Sequence, residues 1–188
     1  MDDFAPPPLA APSARRIRRL AGVLRAMIAI GALLLLALAA ALWVRPDIAL
    51  REILEAAQIQ ARDIERFELA RTGCTLWMMV PLVVAEMVLL RLWQLFGEYR
   101  AGRIFGARAL AALRGFSAWT MAAAVLSPLH GAVLSVLATM GNAPGHRTLT
   151  VHVSSNDYAL LLFGAAMLAI SGVMAEAARL AEDNAGFV

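Results

Sequence analysis

Apolar residues in this chain run in four long blocks, separated by polar, charged or turn-forming segments. Met27 to Val44 carries no charge at all. A helix of about 20 such residues, rising 1.5 Å per residue, crosses the roughly 30 Å of bilayer hydrocarbon. The blocks predict four spans, at about Gly22–Val44, Thr75–Leu95, Gly115–Met140 and Tyr158–Glu176. Within the second, Glu86 and Arg91 are the charged residues, and within the third His130 is the ionisable group. Ser154, Ser155, Asn156 and Asp157 precede the fourth with oxygens that cap a first helical turn. The fold class expected is all-α, an integral membrane four-helix bundle in which residues 15–188 form one transmembrane domain.

The intervening segments differ from one another. Residues 1–14 begin MDDFAPPPLAAPS, where prolines cannot donate and few apolar side chains offset ordering entropy, so a disordered tail is expected. The basic start, the apolar run and Ala39 and Ala41 also fit a cleaved signal peptide. An uncleaved anchor is the expectation, because the run is too long for a signal core and further spans follow. The first loop, Arg45 to Gly73, opens with Pro46 and Asp47 and places Leu50, Ile53, Ala57, Ile64 and Phe67 near helical spacing. That pattern predicts an amphipathic helix on the membrane surface or capping the bundle. In the third loop RTLTVHVSS alternates polar with β-branched or apolar residues, which suggests an extended strand or short hairpin.

Composition strengthens the membrane reading: 61% of the 188 residues are hydrophobic and mean hydropathy is +0.68, more apolar surface than a chain this short can bury. The surplus faces lipid. All 17 basic residues are arginine, best explained by genome composition. Trp43, Trp77, Trp93 and Trp119 each fall near a span boundary, where amphipathic rings gather. Five arginines precede or open span one and five lie from Arg91 to Arg114; the loop between spans one and two also has five, against six acids, and does not discriminate, whereas the loop after span three has Arg147 alone. Positive charge marks the cytoplasmic side, so both termini and the middle connection are expected in the cytoplasm of a multi-pass inner-membrane protein.

Chemistry is sparse. Glu86, about eleven residues into its span, is costly to bury without a partner, and Pro81 frees the carbonyl of Trp77 one turn earlier. It reads as an intramembrane polar site, a proton or cation site or a carboxyl bonded across the bundle to His130 or a span-three hydroxyl. His130 lies beside Pro128 and reads as a buried hydrogen-bonding group, because the other histidines, His146 and His152, sit in the third loop rather than on a facing span. Ala123, Ser127, Gly131, Ser135 and Thr139 form a small-residue stripe that would let another helix approach closely. Arg91, Arg100, Arg103, Arg108 and Arg114, interleaved with Phe96, Tyr99, Ile104 and Phe105, read as an anchoring or partner surface toward lipid headgroups, with no direct nucleic-acid binding expected. Acidic Glu176, Glu182 and Asp183 could pair with them. One cysteine, Cys74, and three histidines offer neither a disulfide framework nor a metal cluster, and no phosphate loop or nucleophile elbow is present. No enzyme activity, metal or cofactor is expected.

The run LWQLFGEYRAGRIF at Leu92 to Phe105, the following LAALRGFSAW and the closing ARLAEDNAGFV resemble a bacterial membrane-protein family, domain of unknown function 2975. The resemblance covers Leu92 to Val188 well and the first half in hydropathy. It implies four spans, a Gly-basic-Ile-Phe turn between spans two and three, an acidic end, and frequent genetic proximity to a small helix-turn-helix regulator. It carries over no catalytic residue. The expectation is therefore a non-enzymatic membrane sensor or regulator that acts through a cytoplasmic regulator or membrane-protein partner. A small transporter or proton-coupled channel using Glu86, and an accessory subunit of a membrane complex, are the rivals, and a homo-oligomer stays open.

Overall fold

The computed structural model describes residues 11–46, 67–140, 142, 145, 147 and 149–185. It is an all-α four-helix bundle of α1 (Ala11–Val44), α2 (Phe67–Arg100), α3 (Ala107–Thr139) and α4 (Ser155–Ala185). All four helices are long and apolar enough to cross a membrane. Helix α1 starts at Ala11, so residues 11–14, which the sequence placed in the tail, are helical. Pro12 falls in the first turn, where a missing N–H leaves no bond unmade, and alanine and arginine follow. Residues 1–10, and residues 47–66 that hold most of the expected amphipathic helix, lie outside the described residues.

The alternation in the third loop does not produce a strand among the described residues. No neighbouring strand is there to complete a ladder. Instead the Thr150 N–H donates to Ser135 Oγ at 2.9 Å, docking the loop on the end of α3.

Helices α2 and α3 form the centre, with α1 packed on α2 and α4 on α3. Neighbours are antiparallel. Gly73 meets Leu137, Trp77 meets His130 and Arg91 meets Gly115, so one helix descends as its partner rises. Two apolar clusters hold the α2–α3 pair near its ends. One joins Cys74, Leu134 and Ala138 with Trp77, Met78 and Leu137; the other joins Leu95, Ala109, Ala112 and Leu113, with Met174 of α4 reaching in.

The flanking helices show why they stay at the edges. On α1 the residues withdrawn from the surface include Ala21, Arg25, Ile28, Ala32, Leu35, Ala39 and Leu42, and on α4 they include Asp157, Leu160, Gly164, Met167, Ser171 and Met174. Both series step by three and four, the narrow seam of a left-handed helix pair. The remaining faces carry exposed Leu33, Leu34, Leu36, Phe163, Leu168 and Val173, an apolar exterior suited to lipid.

Close approach falls in places other than the predicted stripe. Ser135 and Thr139 are buried, but Ser127 is exposed and a Cβ added at Gly131 would have nothing within 4 Å. The tight contacts are at Gly164, against Met121 and Ser117, and at Gly115, against Arg91. Buried hydroxyls largely turn back on their own helices: Ser117 donates to the Leu113 carbonyl, Thr120 to Phe116 and Ser171 to Leu168. They are thereby satisfied without reaching across an interface.

Candidate functional site

Arg91 projects from the end of α2 onto α3, and a Cβ at Gly115 would lie 2.9 Å from both its Cδ and its Nε. The absence of a Cβ at Gly115 lets the Arg91 side chain lie in this position; an added Cβ would force it to shift. Arg91 donates to Gln94 Oε1 at 3.3 Å, while its buried Nε has no hydrogen-bond partner among the described residues. Arg25 of α1 approaches the same place from the other side. Its guanidinium carbon stands 3.8 Å from the centre of the Trp93 ring, its Nη1 would meet a Cβ on Gly97 at 3.6 Å, and its buried Nε is likewise without a partner. Arg108, near the start of α3, completes the group. A cavity of about 420 Å³ is bounded by Arg25, Arg91 and Arg108 together with Trp93, Gln94 and Glu98.

Glu98 offsets this group only in part: its carboxylate is held by the Arg103 hydrogen bond first and by the charges of Arg103 and Arg108 besides, which leaves one carboxylate against three arginines among the described residues lining the cavity. Arg103 holds it with Nε at 2.6 Å and Nη2 at 3.2 Å, a fork that keeps the Arg103 guanidinium charged. The same residues end α2. Gly102 adopts φ +81°, its N–H bonds the Tyr99 carbonyl, and the Arg103 N–H bonds the Glu98 carbonyl. These two bonds define a Schellman stop, which places glycine where the left-handed conformation costs least. The glycine-basic-isoleucine-phenylalanine string thus has a physical meaning: a rigid turn, latched by an ion pair, that leaves Phe105 61% exposed at its far side.

Of the five arginines singled out in the sequence, the structure brings Arg91 and Arg108 to one cavity and commits Arg103 to Glu98. Arg100 and Arg114 are exposed and outside it. Arg25 was the participant that sequence reasoning missed. It read as part of the basic start, and its place on the three-four seam with Ala21, Ile28 and Ala32 shows only in the burial of α1. The acidic tail does not supply counter-charges through Glu176, which pairs instead with Arg179 at 2.7 Å. The side chains of Glu182 and Asp183 lie outside the described residues.

Glu86 and His130 do not meet. Trp77 is level with His130, and Glu86 lies nine residues further along α2, about 13 Å of helical rise away. Glu86 faces α1 instead. It lines an apolar groove of about 410 Å³ with Ile28, Ala32, Leu36, Leu89 and Trp93, and its buried Oε1 has no hydrogen-bond partner among the described residues. His130 stacks on Trp77, with ring centres 6.1 Å apart and planes 17° from parallel, and its carbonyl accepts from Trp77 Nε1 at 3.3 Å. Its buried Nδ1 is unpartnered among the described residues. Trp77, read from sequence as a boundary ring, is therefore an inward packing residue. At the same end of the bundle, Ser154 and Asp157 form a capping box at the start of α4: the Ser154 N–H donates to Asp157 Oδ2 at 2.8 Å and the Asp157 N–H to Ser154 Oγ at 3.2 Å. Ser127 of α3 also bonds the Asp157 carboxylate, so the cap ties α4 to its neighbour.

No group of three or more histidine, cysteine or acidic side chains able to hold a metal occurs among the described residues. The sequence profile of the family described as Protein of unknown function (DUF2975) matches residues 55–186. No curated protein and no solved structure matches the chain.

Proposed function

The chain belongs to that family of unknown function, and from this premise we propose that it is a non-enzymatic inner-membrane protein acting through a protein partner as a small sensor or regulator. In this reading both termini and the α2–α3 connection face the cytoplasm, where the excess of arginine on that side favours them. The observation that carries the reading is the latched turn after α2. It presents exposed Phe105 between Arg100 and Arg108, on a backbone fixed by the Schellman bonds and the Glu98–Arg103 fork. An aromatic ring and arginines on a rigid support suit protein recognition.

The transporter reading rests on Glu86. Among the described residues lining its groove it is the one ionisable group, so a relay partner is lacking there. That weighs toward the regulator.

A photo-reactive residue placed at Phe105 in native membranes is expected to give one discrete protein adduct, and one placed at Val151, at the opposite end, none. Adducts at Val151 alone, or none with protein at either position, would overturn the proposal.

A further inference from the structure

Two cavities meet at Trp93. One is the arginine cavity of Arg25, Arg91 and Arg108; the other is the groove between α1 and α2, apolar along Ile28, Ala32, Leu36, Leu89 and Leu90 and carrying the Glu86 carboxyl as its one ionisable group among the described lining residues. Each arginine comes from a different helix, α1, α2 and α3, so the charge is gathered by the fold and not by one basic run. Arg25 and Arg91 each present a buried Nε that lacks a partner among the described residues, and Glu98, the one carboxylate among the described lining residues, is hydrogen-bonded by Arg103 and shared with Arg108, which leaves the cavity with net positive charge. Two buried, unpartnered guanidinium donors beside the exposed guanidinium of Arg108 call for an anion with several acceptor oxygens, and phosphate matches their fork geometry.

The groove indicates what accompanies the phosphate. It continues from the arginine cavity toward the bilayer centre. From Arg25 to Leu36 is eleven residues, about 16 Å of helix and so close to one leaflet's half of the hydrocarbon core. Trp93 stands where the polar and apolar parts join, as interfacial aromatics do. We propose that this composite site binds an anionic phospholipid, its phosphate among Arg25, Arg91 and Arg108 and one acyl chain along the α1–α2 groove. The site is independent of the partner reading above: it describes a ligand held within the membrane boundary, on the far side of the turn from Phe105.

The site adds a link to the α1 seam. A lipid seated there bridges α1 to α2 and α3 through a shared phosphate, where the described residues otherwise supply apolar packing and the Arg25–Trp93 contact.

Native mass spectrometry of the full chain from neutral detergent tests this with phosphatidylglycerol, phosphatidylcholine and inorganic phosphate as separate probes. One phosphatidylglycerol per chain is expected to be retained at concentrations at least tenfold below those needed for phosphatidylcholine or for inorganic phosphate. Arg25→Gln and Arg91→Gln should each weaken that binding tenfold or more. Arg108→Gln, at an exposed position that cannot disturb packing, should weaken it about threefold to tenfold. Arg100→Gln and Arg114→Gln, which remove the same charge outside the cavity, should change it less than twofold. Ala32→Phe, which fills the groove, should weaken phosphatidylglycerol binding and leave inorganic phosphate unaffected. Equal losses from the cavity and outside arginines would overturn the site in favour of a diffuse basic surface. Inorganic phosphate binding as tightly as the lipid would overturn the role of the groove, and retention unchanged in Arg25→Gln and Arg108→Gln would overturn the proposal altogether.

Discussion

Gly164→Leu is expected to separate α4 from α3 and lower the stability of the bundle by about 3 kcal/mol, the upper part of the range for overpacking a close contact. A Cβ at Gly164 would sit 2.7 Å from Met121 Cγ, which can swing aside, but also 3.2 Å from the Met121 nitrogen and the Ser117 oxygen, which are backbone and cannot. The helices must therefore move apart. In a bilayer that matters more than in water, because lipid tails are as apolar as the interface and association rests on packing and hydrogen bonds. Gly164 lies midway along the α4 seam between Leu160 and Met167, so the displacement spreads to the Phe116–Phe163 edge contact and to the Asp157–Ser127 bond. Thermal or denaturant unfolding in detergent should show the loss, with Gly164→Ala intermediate and lipid-facing Val173→Leu unchanged. A Gly164→Leu protein as stable as the parent would mean that α4 is not held along this seam.

Trp77→Ala carries the second largest effect, a loss of roughly 2–3 kcal/mol. That is below the usual cost of removing a buried tryptophan, because the transfer part of that cost shrinks when the exterior is lipid. The ring joins three contacts at one end of the bundle. It stacks on His130, donates Nε1–H to the His130 carbonyl and packs against the cluster of Cys74, Leu134 and Ala138. Trp77→Phe separates these contributions. It keeps an aromatic face and loses the donor, so it should cost about 1 kcal/mol, the typical net value of one hydrogen bond. Phenylalanine as damaging as alanine would show that the donor, and not the stack, holds this end. Near-ultraviolet circular dichroism alongside unfolding would register the loss of the stacked ring.

The four helices were legible because hydrophobic blocks of span length have few other outcomes. Which side of each helix faces inward was not. On α1 the inward Ile28, Leu35 and Leu42 differ in no chemical way from the outward Leu33, Leu34 and Leu36, since lipid and protein interior are equally apolar. For the same reason the four-residue stripe of α3 suggested a close-packed face, while the closest approaches arose at Gly115, against the Arg91 side chain, and at Gly164, against α3 backbone, set by partners on other helices. A bond from Glu86 to His130, one of the alternatives the sequence left open, fails on register, a property of two helices at once. The arginines were legible as a class, but sequence spacing could not show that Arg103 is occupied by Glu98 or that Arg25 comes from another helix to join Arg91.

In the proposed orientation, antiparallel spans put the arginine cavity and the turn after α2 in the cytoplasm, with the loop before α4 on the opposite side. Single cysteines at Phe105→Cys and Val151→Cys, in a Cys74→Ala background, test it directly with a membrane-impermeant maleimide. Phe105 and Val151 are both exposed, so labelling reports sidedness rather than burial. The predicted result is labelling of Val151→Cys from outside an intact inner membrane and of Phe105→Cys only after permeabilisation. Labelling of both from one side would contradict the four-span arrangement, and the reverse pattern would contradict the cytoplasmic placement of the arginine end.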